Sequence, residues 1–279
     1  MLKRENINIR DPFVLTVPEE KCYYLYGTTS MQLGPRLEVF RTADLENFEE
    51  PVSLFDIPEN FWGTTLFWAP EVKKHNGVYY LTTTLMNPVT KVKGTQILRS
   101  LSPTGPFEAI ANAPATPRHW ASRDGTLWWE NGQPWMVFCH EWGQVGDGTI
   151  ERLRLSDDLT HAVGEPVTLF RGSQAPWSVE YDSEGFVGYV TDGPFLFYDR
   201  QNRLSLLWSS FNQAGYSMGV ARSTDGTLSG EWVHDAEPII SGRGGHGMIF
   251  DTLNHERFLT YHSPNDKLQE RAIFEPFPL

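Results

Sequence analysis

Asp124-Gly125-Thr126-Leu127-Trp128-Trp129-Glu130-Asn131-Gly132-Gln133-Pro134-Trp135-Met136-Val137-Phe138-Cys139-His140 reads as one β-hairpin with an acidic residue at its entrance. Residues 126–130 form a first strand. Asn131-Gly132 is a two-residue turn of the kind that needs positive φ, and residues 133–140 return antiparallel. The unit recurs along the chain. Its openings are Asp11-Pro12-Phe13-Val14, Ala69-Pro70-Glu71-Val72, Asp192-Gly193-Pro194-Phe195 and Gly245-His246-Gly247-Met248. Each leads into a partner strand, at 22–26, 78–84, 204–208 and 257–261, and Asn76-Gly77 repeats the tight turn in the second unit.

A third strand closes four units on similar phrases: Phe40-Arg41-Thr42, Leu98-Arg99-Ser100, Leu153-Arg154-Leu155 and Ala221-Arg222-Ser223. Fourth strands are expected at 51–55, 167–170 and 238–240. A period of roughly 55–70 residues built only of strands marks a radial array. The expected fold is an all-β, five-bladed β-propeller of four-stranded antiparallel blades around a central axis, in a single catalytic domain over 1–279. A pair of β-sandwiches also has short strands at regular spacing. Whole phrases recurring at matching points favour the propeller. No segment holds helical periodicity over three turns.

The net charge of −12 argues against nucleic acid or an anionic membrane as partner, since both need a basic face. No apolar run approaches a membrane span. The first residues lack the apolar core of a secretory signal, so the expected compartment is the cytoplasm, or the periplasm or exterior if a leader was removed. Cys22 and Cys139 fall on second strands of units one and three, too far apart to bridge, and read as two buried thiols. A Gly-x-Ser-x-Gly elbow, a zinc-binding His-Glu-x-x-His helix and metal-ligand spacing of His and Cys are all absent from the sequence.

Equivalent positions of a propeller converge on the axis. Asp11, Asp124 and Asp192 are expected at the same register of units one, three and four, sharing one pocket. Asp-Pro and Asp-Gly are also ordinary turn dipeptides. Three of them at matching places, however, crowd like charges that destabilise a scaffold unless they serve chemistry or a cation.

Together, Arg10-Asp11-Pro12, Trp68-Ala69-Pro70-Glu71, Asp124-Gly125-Thr126-Leu127, Asp192-Gly193-Pro194-Phe195 and Gly245-His246-Gly247 resemble glycoside hydrolase family 43. The resemblance runs in family order from Ile9 to Phe274 and shows no sign of an added β-sandwich. It implies an inverting glycosidase in which Asp11 is the general base, Asp124 orients the acid and raises its pKa, and residue 192 protonates the leaving oxygen. The family usually has Glu at that last place. Three readings of Asp192 compete: a backbone closer to the sugar lets the shorter acid work, Glu141 supplies the proton instead, or the site only binds sugar.

By the same resemblance His246 lies beneath the sugar, beside an axial calcium reached through water, and Arg271 reaches the sugar and the acid. Calcium prefers oxygen, so His246 would be an outer-shell partner. Trp68 and Trp142 are candidate walls of the sugar pocket, with Trp62 and Trp177 as further stacking candidates. The loops 87–94 and 173–188 are the expected flanking walls. No cofactor is required for the chemistry. The expected activity is exo-acting removal of a terminal pentose, α-L-arabinofuranose first and β-xylose second, from plant-type carbohydrate. A catalytically inactive sugar-binding propeller is the rival class, and a protein-interaction scaffold a third.

Overall fold

The computed structural model describes residues 1–29 and 34–277. Five antiparallel sheets stand in a ring, which is a five-bladed β-propeller. Blade I is Arg10–Val17, Cys22–Thr28 and Glu38–Thr42, edged by the short Asn47–Phe48 and Val52–Ser53, with Leu2–Lys3 on its rim. Blade II is Thr65–His75, Val78–Met86, Lys93–Ser100 and Glu108–Ala109. Blade III is Ser122–Glu130, Gln133–His140, Thr149–Arg154 and Val167–Arg171. Blade IV is Asp192–Tyr198, Leu204–Asn212, Gly215–Ser223 and Trp232–His234. Blade V is Gly245–Asp251, Arg257–Ser263 and Arg271–Pro276. A small hairpin, Tyr181–Ser183 with Phe186–Gly188, stands between blades III and IV.

The turns behave as their residues require. Asn76 and Gly77 have φ of 49° and 81°, and Asn131 and Gly132 have 51° and 77°, the left-handed pair that matches strand twist. Two expectations about outer strands need correction. Among the described residues blade V has three strands, not four. The fourth strand of blade IV is Trp232–His234, not 238–240. Pro238 cannot donate to a ladder, and Ile240 makes only an isolated bridge to Met218, while buried Trp232 pairs with Ser223. Residues 142–145 form one helical turn.

Apolar residues pack between neighbouring blades in three clusters. The largest joins blades I, II, IV and V, and smaller ones fill the spaces between II and III and between III and IV. Both cysteines are free and buried there. The ring closes by a backbone bond and an ion pair: Ile9 N–H donates to the Glu270 carbonyl and the Arg10 guanidinium holds the Glu270 carboxylate at 2.7 Å.

One irregularity repeats in all five inner hairpins. Arg10–Phe13, Trp68–Glu71, Arg123–Thr126, Asp192–Phe195 and Gly245–Met248 each spend three residues where the partner strand spends two. The second residue of each bulge is left-handed: Asp11 (φ 52°), Ala69 (46°), Asp124 (54°), Gly193 (50°) and His246 (50°). That conformation costs a non-glycine residue roughly 1–2 kcal/mol.

A bond from the preceding blade offsets the cost at four of the five. Ala69 N–H donates to Thr28 Oγ1 at 2.7 Å, Asp124 N–H to Thr84 Oγ1 at 2.8 Å, His246 N–H to Ser209 Oγ at 2.8 Å and Asp11 N–H to His262 Nδ1 at 3.2 Å. Each acceptor sits on the second strand opposite the first residue of its own bulge. In blade III that place holds Cys139, and the Gly193 N–H turns to Asp124 Oδ2 at 3.4 Å instead.

Ser209→Ala strands the His246 N–H in a buried place. Removing such a partner costs about 1–3 kcal/mol, a fall in melting temperature of several degrees for a chain of this size. Thermal unfolding of Ser209→Ala beside the exposed-site control Ser53→Ala checks this; equal melting points would refute the clamp.

Candidate active site

The bulges aim their side chains at one end of the axis. A cavity of about 370 Å³ there is lined by Arg10, Asp11, Thr28, Trp68, Arg123, Asp124, Tyr181, Asp192, His246, Asn265 and Lys267. The three expected aspartates therefore share one hollow. They do not share one register. Asp11, Asp124 and His246 occupy the left-handed second place of their bulges, whereas Asp192 stands one residue earlier, on the rung of Arg10, Trp68 and Arg123. Aligning Pro12, Pro70 and Pro194 would have shown this, because it matches Gly193 to Asp11. Gly193 is needed there: a Cβ would meet the His246 ring at 2.6 Å.

Asp11 is buried, and its Oδ2 accepts from Thr28 Oγ1 at 2.6 Å while Oδ1 lies 3.2 Å from His246 Nδ1. Burial pushes its pKa up, but His246 and Arg10 outweigh burial and hold the carboxyl below its ordinary value. His246 also lies 3.5 Å from Asp192 Oδ1. Burial lowers its pKa, yet the carboxylates around it win and raise it to about 10, so it is an imidazolium. His262 behaves oppositely. Burial takes it down to about 4, and its Nδ1 accepts the Asp11 N–H, so its 3.4 Å approach to Asp11 Oδ1 is not an ion pair.

Asp124 and Asp192 are hydrogen-bonded to each other and titrate as a pair. Asp192 opposes burial with Arg123 at 3.9 Å, His246 and the Tyr216 hydroxyl, which donates at 2.7 Å, and is held well below the carboxylate range. Asp124 is raised to about 8 by burial and then by Asp192. The direction is the reverse of the expected one: the shared proton rests on Asp124, because the nearby cation and hydroxyl favour the Asp192 anion.

Glu141 does not line the cavity. Lys93 and Arg123 (3.3 Å) grip it from two sides, and although burial raises its pKa, these cations hold it ionised. A carboxylate so paired is not a proton donor. It anchors Arg123 instead, whose Nε is buried, lacks a hydrogen-bond partner, and lies 3.8 Å from Asp124 and 3.9 Å from Asp192. Arg271 is also displaced from its expected part. It donates to the carbonyls of Glu5 and Glu270 on the outer strand of blade V, away from the cavity lining. Arg123 holds the place between the acids, and the repeated pair Arg10-Asp11 and Arg123-Asp124 was its signal in the sequence.

Among the aromatics, Trp68 lines the cavity, with the Lys93 ammonium 5.4 Å from its ring centre. Trp142 stands behind it, against Tyr181 and Phe186 of the small hairpin, and Tyr181 is the wall. Trp177 is buried against Trp208, and Trp62 donates to Gln96 beside a neighbouring hollow.

Donor atoms of Asp124, Asp192 and His246 lie within 4.8 Å of one another. They do not fit calcium, which takes six to eight oxygens. Two of the three are carboxyls already faced by Arg123, and the third is an imidazolium.

Buried acids paired around a hollow at the axis of a propeller define a glycosidase site. The sequence agrees: residues 6–275 match the model of glycosyl hydrolases family 43, and the chain belongs to that family. An endo-arabinase from Bacteroides thetaiotaomicron VPI-5482 is similar at 36% identity, with 100% of this chain and 97% of that one covered and a TM-score of 0.92. A thermostable family-43 glycoside hydrolase is similar at 25% identity, covering 98% and 90% with a TM-score of 0.81. An α-L-arabinofuranosidase from Lactobacillus brevis, at 16% identity over 97% and 90% and a TM-score of 0.76, shares the fold. No curated protein matches this chain.

The shared proton sets a pH limit. Asp124 loses it as pH rises through about 8, after which both members of the pair are anions. Activity (kcat/KM) on a good substrate should therefore fall above about pH 8, by about tenfold per unit, while Asp11 keeps the acid limb below the ordinary Asp range. A rate profile flat to pH 9.5 would rule out a shared proton.

Proposed function

We propose that this glycosidase hydrolyses α-L-arabinofuranosyl linkages of plant-type arabinan and its oligosaccharides, with inversion at the anomeric carbon. The observation that carries the sugar is the likeness, over essentially both full lengths, to a protein named an endo-arabinase. Release from chain ends is favoured by the cavity, which at about 370 Å³ lies at the small end of ligand sites. Cleavage within chains is the second reading, favoured by the same relative's printed activity.

In this proposal Asp11, held as an anion, takes a proton from the attacking water as its oxygen bonds to the anomeric carbon. Asp192 hands a proton to the departing glycosidic oxygen as that bond breaks, and draws it from Asp124 across their hydrogen bond. Charge developing on the leaving oxygen pulls the proton that way, which resting pKa values do not. The shorter Asp is offset by its earlier place in the bulge. His246 Nδ1 touches both working acids, so its contacts of 3.2 and 3.5 Å bound their nearer oxygens at 6.7 Å apart. That is a ceiling, which overlaps the roughly 6.5–9.5 Å associated with inversion only at its edge, so inversion in this proposal rests on the family and not on the spacing.

Nitrophenyl α-L-arabinofuranoside, nitrophenyl β-D-xyloside and arabino-oligosaccharides distinguish the readings. Arabinosides should be preferred, arabinose should be the first product, and Asp11→Ala should lose about 10³-fold in kcat. Asp192→Asn should abolish turnover of the oligosaccharides while its melting curve stays intact. Preference for the xyloside would sink the sugar assignment, longer oligomers as first products would select internal cleavage, and full activity of Asp192→Asn would move the acid elsewhere.

A further inference from the structure

Beneath the aspartates the axial channel carries charges of its own. The fourth residue of each bulge forms the next ring down: Phe13, Glu71, Thr126, Phe195 and Met248. Three are apolar, and Glu71 and Thr126 are the buried polar pair. Thr126 Oγ1 donates to Glu71 Oε2 at 2.6 Å. Two residues along the same strand, and so on the same face, Lys73 enters the channel and donates Nζ to Thr126 Oγ1 at 2.9 Å and to the Leu127 carbonyl at 2.8 Å. The ammonium lies 5.3 Å from the centre of the Phe195 ring and 6.0 Å from that of Trp128. Burial holds the pKa of Glu71 above its ordinary value, against the opposing pull of Lys73, Thr126 and His246. Burial holds that of Lys73 below its ordinary value and outweighs the opposing pull of Glu71.

Below Lys73 the channel opens into an apolar cavity of about 650 Å³ at the other face, lined by inner strands of all five blades. Among the described residues Asp251 is the one acid of its lining. The column down the axis is thus carboxylates, imidazolium, carboxylate, ammonium. Its cations are side chains.

We propose that Lys73 is the fixed cation of this axis: through Thr126 it fixes Glu71 beneath the ring that carries His246 and the working aspartates, and it makes hydrolysis independent of a divalent metal. Lys73 touches no substrate and is a positioning residue. The inference rests on the hydrolase reading for its kinetic arm only.

The test uses the full chain dialysed against EGTA and then given Ca2+, with melting temperature and arabinoside kinetics as readouts. For the wild type neither should change. Lys73→Met should lower kcat by about ten- to a hundredfold with KM nearly unchanged, because a misplaced base slows the chemical step without loosening the sugar. Lys73→Arg, which keeps a cation, should recover most of that loss. A wild type that loses melting temperature or activity in EGTA and regains it with Ca2+ overturns the proposal. So does a folded Lys73→Met with wild-type kcat. If Lys73→Met fails to fold, Lys73→Arg and the wild-type arm decide. If no arabinoside is turned over by any form, the sugar assignment fails, while the melting response to Ca2+ still judges the cation.

Discussion

The left-handed residue at the mouth of each inner strand is the constraint from which the site follows. A regular strand alternates its side chains between the two faces of the blade. One extra residue per hairpin, forced into positive φ, turns Asp11, Asp124 and His246 into the hollow. That backbone is unfavourable for Asp or His, and a hydroxyl or imidazole of the preceding blade fastens its N–H. Blade packing and side-chain aim are therefore one interaction. The exception lies where two of the acids meet: Cys139 is a weak acceptor, so the Gly193 N–H turns to the Asp124 carboxyl.

Electrostatics then sorts three similar carboxyls into different states. Asp11 and Asp192 lie against His246, and Asp192 adds Tyr216 and Arg123. Asp124 is left with the proton because its neighbour is an anion. Glu141 and Glu270 act a step back, each gripping the arginine that precedes an aspartate, Arg123 and Arg10. Thus the acids are positioned by cations that are themselves held by buried carboxylates, an arrangement that is stable only while each partner stays in place.

The apolar cavity and the chemistry are at opposite ends of the axis. The apolar mouth is the larger of the two, yet its lining brings no convergent acids, whereas the smaller hollow gathers Arg10, Asp11, Arg123, Asp124, Asp192 and His246. Size alone does not locate function here. Convergent polar groups with displaced titration do.

The sequence by itself determined the five repeats, the all-β blades, the Asn-Gly turns and the three aspartates, because strand alternation and turn chemistry are local and written in neighbouring residues. It also carried the Arg-Asp pairs, which went unread. Only the tertiary structure decided that Asp192 stands one rung before Asp11 and Asp124, that Arg123 rather than Arg271 lies between the acids, and that Glu141 is an anchor. Those outcomes depend on which groups from different blades approach within a few ångströms, and a one-residue bulge changes the partner without changing the pattern along the chain. The resting place of the shared proton was decided in the same way, by Tyr216, Arg123 and His246 meeting Asp192 from three separate blades.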